Sequence, residues 1–433
     1  MSASGTRGAP LRVLLPVLAL LAASLASARS DWTALLSQRA SWAESDYQLH
    51  WAAGRALAAG QDPYDPAAVG PIGATTGRPF TPFCAATPLF VRVFAWLGEL
   101  PFERGYRVLL GVSVVLLLAS FALLGAALWR AGVPALVAAA AGVALIACND
   151  GTWMALWYNQ LNFVTLAALT GALWAGVSGR PRLEGALLAV AAWAKVSPAL
   201  IIVLAAVAGR GRTVRAALAT GLALLALSIA LAGWDAHASW LAMVQRELGY
   251  AAVRPEGTFN NSLHEWNLSP NGVLSRAAAA AGWPRGAVLA GAWGVAILAV
   301  GAAAWAVRGR GARPFEVHAL GIAAGFLASG TTWVPHLSLA AIPLACCLQR
   351  AWTARTGWLP LAAAAVAAVL LMLPLGALGT PTDPSADILG KLSGCLLLMA
   401  ALLGLRGADD EGLRKATGSG AAAASGPARA AAG

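Results

Sequence analysis

The sequence predicts an all-α, polytopic membrane protein with about 10–12 transmembrane helices, and three observations predict it. Of 433 residues, 59% are hydrophobic and 11% charged, far below the quarter or so of charged residues usual in soluble domains. Several apolar runs of about 18 or more residues carry no charge, the length a helix needs to cross a hydrocarbon core of about 30 Å. A closed barrel would instead alternate with period two. Finally, the excess of 30 Lys+Arg over 19 Asp+Glu sits in short clusters between the runs. Such clusters set membrane orientation, whereas a nucleic-acid binder concentrates its charge in one patch, so no nucleic acid is expected as a partner.

In chain order, Arg7 and Arg12 precede an apolar run at 14–28, which places the N-terminus inside. Ala26-Ser27-Ala28 also fits a signal-peptidase site, so cleavage of residues 1–28 is the alternative. A long outer loop follows at about 30–106, and within it 44–66 reads ESDYQLHWAAGRALAAGQDPYDP. Its middle is a short amphipathic helix with Leu49, Trp51, Ala52 and Ala56 as apolar surface, a left-handed cap at Gly60, and turns through Asp62-Pro63-Tyr64-Asp65-Pro66. A second helix near 88–97 is short and carries Arg92, which places it flat on the interface.

Spans at 107–129, 133–149 and 158–178 leave Arg180 and Arg182 inside. If 183–209 crossed once, Arg210, Arg212 and Arg215 would be stranded outside. A break at Lys195 and Pro198 turns the piece into two short helices that enter and return, since proline removes a backbone donor and disfavours helix before it. Spans at 213–233, 285–307, 315–330, 333–350, 357–378 and 385–405 then put Arg308, Arg310, Arg313, Arg350, Arg355 and Arg406 inside. One membrane domain, 1–406, with a second outer loop at about 234–284, precedes a Gly/Ala/Ser-rich tail at 407–433, expected to be disordered and cytoplasmic.

Polar residues crowd the outer side: Asp150, Asn159, Gln160, Asn162, Asn260, Asn261, Ser262, His264, Glu265 and His336. Asp46 stands out there, because a carboxylate at the lipid surface is costly unless used or paired; the alternative is a solvated loop acid. Four residues on, His50 shares its helix face. Lys195, at the tip of the broken pair, either contacts phosphate or ties down backbone carbonyls freed near Pro198. Asp62 and Asp65 either bond their own backbone or bind a cation. Five cysteines show no zinc or disulfide spacing and read as packing residues. Neither a separated Asp-x-Asp nor a glycine-rich phosphate loop is present, which disfavours a nucleotide-sugar donor. No ligand set for a metal emerges, and a divalent cation stays open as a cofactor.

The order of short signals resembles glycosyltransferase family 87, the polyprenyl-phosphate-mannose-dependent mannosyltransferase-like proteins of the C-type membrane glycosyltransferase superfamily. The residues are Asp46-Tyr47 with Ala52-Ala53 and Gly60-Gln61-Asp62-Pro63-Tyr64-Asp65; Asn159-Gln160-Leu161-Asn162; Gly185 leading to Lys195 and Pro198; Asn260-Asn261-Ser262; and Trp333 with His336. Departures are Asn159 where family members often have glycine, Pro335 in place of the first of two histidines, and His50 where an aromatic is expected.

The resemblance implies a C-type fold with interfacial helices in the first outer loop, and a hexosyltransferase. It would move mannose from a polyprenyl-phosphate donor to a glycolipid or glycan acceptor at the lipid bilayer. Asp46 matches the family's acid and is expected to be the general base of an inverting transfer. Donor-phosphate or substrate contacts are expected from His336, Lys195, Gln160, Asn162, Asn261, His50 and His264. A bacterial plasma membrane, cytoplasmic termini and an extracytoplasmic active site follow. The rival is a polytopic transporter or lipid flippase with Lys195 at a midplane site, and a third reading is a noncatalytic assembly partner.

Overall fold

A computed structural model describes residues 46–77, 84–247, 264, 267–308, 312–353, 358–372 and 389–405. The described residues form helices and no strand, and the protein is an all-α polytopic membrane protein.

The first outer segment begins with α1 (Asp46–Ala58), α2 (Pro66–Ala74) and α3 (Pro88–Gly98). Gly60 ends α1 at φ +72, the left-handed turn that lacks a Cβ penalty only in glycine. Asp62 and Asp65 serve their own backbone: Tyr64 N donates to Asp62 Oδ1 at 2.9 Å, and Ala67 N donates to Asp65 Oδ1 at 2.9 Å to cap α2. Backbones of α1 and α3 touch at Gly54, where a Cβ would lie 2.5 Å from the Phe94 carbonyl. Tyr47 is fully buried among Phe94, Phe102 and Tyr106, which anchors α1 to the bundle. With eleven residues, α3 is too short to cross a bilayer, and it exposes Arg92, Val93 and Trp96.

Next come α4 (Phe102–Arg130), α5 (Ala135–Ala147), α6 (Asp150–Trp157) and α7 (Asn162–Val177). Between α5 and α6 the chain bends by 55°. Asn149 makes the corner: its Oδ1 accepts from Gly151 N at 2.8 Å, and its Nδ2 donates to Leu337 O at 2.8 Å. The stretch expected to be an outer loop at 149–159 is therefore largely helical.

The break at Lys195 is present, with α8 (Pro181–Ala194) ending on an extended Lys195 and α9 (Ala199–Val207) starting after Pro198. Glu184, in the first turn of α8, bonds to Arg210 and, at 3.0 Å, to Thr213 in the first turn of α10 (Gly211–Ala232). Both helices therefore start at the same end of the bundle. The chain reaches a tip at 195–198 and comes back, which brings the two Arg clusters together as the charge pattern requires.

The remainder is α11 (Trp234–Glu247), α12 (Pro270–Ala281), α13 (Arg285–Val307), α14 (Pro314–Ala328), a 3-10 helix (Val334–Ala340), α15 (Ala341–Thr353), α16 (Trp358–Met372) and α17 (Leu389–Leu405). Among the described residues, three helices (α4, α10, α13) are long and apolar enough to cross a membrane, or four if bent α5–α6 counts as one span. The expected spans at 133–149, 158–178, 315–330, 333–350, 357–378 and 385–405 each contain a shorter helix, with Asn149 ending the first of them and the 3-10 turn opening the fourth. The expected run at 14–28 and the tail at 407–433 lie outside the described residues. Among its described residues, the second expected outer loop holds α11 and α12.

Candidate active site

Asp46 occupies the first turn of α1, and its backbone N donates to Tyr158 O at 2.9 Å, docking α1 on the turn between α6 and α7. That turn is built by Asn159, whose φ of +51 is tolerated by a short polar side chain, and whose Nδ2 donates to Tyr106 O at 3.0 Å. The turn aims Gln160 at α1. Gln160 Nε2 donates to Asp46 Oδ2. Asn162 Nδ2 donates to Gln160 Oε1 at 2.7 Å, and Lys195 Nζ donates to Asn162 Oδ1 at 2.6 Å. Four of the residues singled out in the sequence thus form one continuous chain across three elements.

Burial raises the Asp46 carboxyl to about 6, against the lowering effects of the Gln160 hydrogen bond and the Lys195 charge. One turn along α1, the His50 ring stacks on Phe94 with centroids 4.7 Å apart, and its Nδ1 lies 3.5 Å from Cys84 Sγ. Burial pulls His50 down to about 4 and pushes Cys84 up to about 12, so the pair is a neutral ring and a thiol. Thr87 Oγ1 donates to Trp193 O at 3.1 Å, tying this segment to the tip of α8.

His336 sits in the first turn of the 3-10 helix. Trp333 N donates to His336 Nδ1 at 3.2 Å, which makes Nδ1 the acceptor and leaves Nε2 to carry the ring N–H. The positive charge of Lys195 reaches it. This turn is stitched from two sides: Gly151 of α6 packs so closely that a Cβ would lie 2.5 Å from Val334 O. On the other side Asn267 Oδ1 accepts from Thr332 N at 3.1 Å, and Asn271 Nδ2 donates to Gly330 O at 3.0 Å. The His264 ring lies against Trp333 at a tilt of 31°, with centroids 4.8 Å apart, and is placed beside that turn. Asn261 lies outside the described residues.

Several polar partners were not singled out from sequence. Cys84 packs in a buried apolar cluster, as read from sequence, and its Sγ also faces His50 Nδ1. Lys391, fully buried, pairs with Asp150 at 3.1 Å. At the opposite end, Glu184 gathers Arg210, Thr213 and His318, the last at 3.1 Å. Charged residues inside apolar runs were the available signal for Lys391, Glu184 and His318. Among the described residues, no group of three His, Cys, Asp or Glu side chains is arranged to hold a metal ion.

No curated protein matches the chain. The family model of glycosyltransferase family 87 matches residues 87–330, a stretch that contains Gln160, Asn162 and Lys195 and stops short of Asp46 and His336 on either side. Since that match covers more than half of the sequence and accompanies an all-helical membrane fold, the chain belongs to glycosyltransferase family 87.

Proposed function

We propose that this membrane glycosyltransferase transfers a hexose, mannose in the first instance, from a polyprenyl-phosphate donor to a hydroxyl of a glycolipid or glycan acceptor. The acceptor oxygen attacks the anomeric carbon as its proton passes to the Asp46 carboxylate; the carbon–oxygen bond to phosphate breaks on the opposite face, and the lipid phosphate departs. A single displacement of this kind inverts the anomeric centre. The observation that supports it most is Asp46 itself, held by Gln160 with its carboxyl raised to about 6. Such a group is ionised at neutral pH yet more basic than an ordinary carboxylate, and general-base catalysis of this type contributes about 10²- to 10⁴-fold.

The leaving phosphate needs donors and positive charge. His336 Nε2–H fits the need for a donor. The arginine clusters support a plasma-membrane protein with both termini cytoplasmic and Asp46, Lys195 and His336 on the outer side. Radiolabelled polyprenyl-phosphate mannose, incubated with the purified chain and extracted envelope lipids, tests the proposal. Wild type yields a labelled product of inverted anomeric configuration by NMR. Well-folded Asp46→Asn yields none, and transfer by that variant at the wild-type rate overturns the proposal.

A further inference from the structure

The hydrogen bonds that end on Asp46 run in one direction only. A lysine ammonium donates and cannot accept, so Asn162 must turn Oδ1 toward Lys195 and Nδ2 away from it. That Nδ2 claims Gln160 Oε1, which leaves Gln160 Nε2 as the group facing the carboxylate. A side-chain amide alone has two nearly equivalent orientations. Here a cation at one end and an anion at the other fix both amides, and each reversal would set two donors or two acceptors against each other.

The chain also joins three separate parts of the fold, Gln160 and Asn162 belonging to one continuous segment. Lys195 comes from the break between α8 and α9, Asn162 from the start of α7, Gln160 from the left-handed turn before it, and Asp46 from α1. Only Asp46 Oδ2 is taken by Gln160. Resting on the reading of Asp46 as base, we infer that Lys195, Asn162 and Gln160 are positioning residues: a polarised chain that holds one carboxylate oxygen and presents the other to the acceptor hydroxyl. Lys195 then acts on the carboxylate through two amides, and not as a ligand of the donor phosphate.

A preorganised carboxylate is worth having because misplacement by about 1 Å can cost about 10²-fold in rate. The titratable groups facing the chain are His50 from α1, Cys84 from the segment before α3, and His336 from the 3-10 helix. Of these, His50 is held neutral and Cys84 stays a thiol, so neither supplies charge to Asp46 near neutral pH.

The test is an infrared pH titration of the full-length chain in lipid nanodiscs without substrate, following the carboxylic-acid band that Asp46→Asn removes. Lys195→Met and Gln160→Met are expected to raise its midpoint by about one pH unit, the worth of a hydrogen bond or charge favouring the ionised form. Lys195→Arg, which still donates, is expected to keep it. Should Lys195→Met fold poorly, the nearly isosteric Asn162→Leu interrupts the same chain and is read by the same shift.

Unmoved midpoints in folded Lys195→Met and Gln160→Met overturn the inference, as does an increased donor KM in Lys195→Met with an unmoved midpoint, the mark of a phosphate ligand. The two proposals fail separately. If the midpoints move while Asp46→Asn retains transfer, the chain stands and the base assignment falls. If Asp46→Asn abolishes transfer while the midpoints stay, the reverse holds.

Discussion

Gly185→Ala probes the geometry that carries Lys195 to the site. Gly185 lies where α8 and α10 run side by side, and a Cβ there would press on the Thr213 carbonyl oxygen while lying 2.8 Å from Ala217 N and 2.9 Å from Ala216 Cβ. Two of these neighbours are backbone atoms, so no rotamer change relieves the overlap. Contact becomes ordinary only beyond 3.4 Å, so α8 must retreat from α10 by about 1 Å. Overpacking of this kind costs about 1–3 kcal/mol, partly offset by the preference of a helix for alanine, about 0.5–1 kcal/mol.

The displacement travels along a rigid helix to Lys195, ten residues on, where the 2.6 Å bond to Asn162 has little slack before it ceases to be one. Transfer from polyprenyl-phosphate mannose is expected to fall by about 10²-fold, with a melting temperature a few degrees lower in nanodiscs. Gly221→Ala is the control, because it sits in the same α10 with nothing within 4 Å of its would-be Cβ. That variant is expected to melt at or slightly above wild type with full activity. If Gly185→Ala matches it in both measurements, the close approach of α8 and α10 is not real and the placement of Lys195 falls with it.

Three further outcomes are expected. With Asp46 as the proposed base and its carboxyl near 6, the transfer rate at saturating donor should fall about tenfold per pH unit below about pH 6; a limb near pH 4 in a pH–rate profile would show an unperturbed acid instead. Glu184→Leu leaves Arg210 and His318 without their shared carboxylate and is expected to cost about 3–5 kcal/mol, with Glu184→Gln milder, as read by thermal melting. An unchanged melt for Glu184→Leu would refute that role. Asp150→Asn removes the carboxylate beside the fully buried Lys391 ammonium and should destabilise by about 3 kcal/mol, which chemical denaturation in detergent measures.

The helix positions were legible because hydrocarbon thickness and arginine placement constrain them independently. The predicted 285–307 reappears as Arg285–Val307, and the hairpin break was required by Arg210 before Pro198 explained how it is made. Asp46 stood out as a carboxylate too costly at the lipid surface unless used or paired, and it is desolvated and bonded to Gln160. The bond from Gln160 to Asp46 was not legible, because it joins residues 114 apart that only the left-handed turn at Asn159 brings together. Lys195 was expected to reach phosphate or backbone carbonyls, and its side-chain partner is Asn162, a choice that depends on where α7 begins. Cys84 was legible as a packing residue, but its contact with His50 was not: nothing local to a cysteine in a proline-rich segment announces a histidine from α1 across from it.

The return of the chain at 195–198 also makes this segment a topological switch. Pieces 181–194 and 199–207 together are long enough to thread a bilayer once, and an ammonium and a proline ring stand at the break between them. Replacing both with leucine would let the translocon treat them as a single stop-transfer sequence. Everything from Gly211 onward would then be inserted upside down, with His336 delivered to the compartment opposite Asp46.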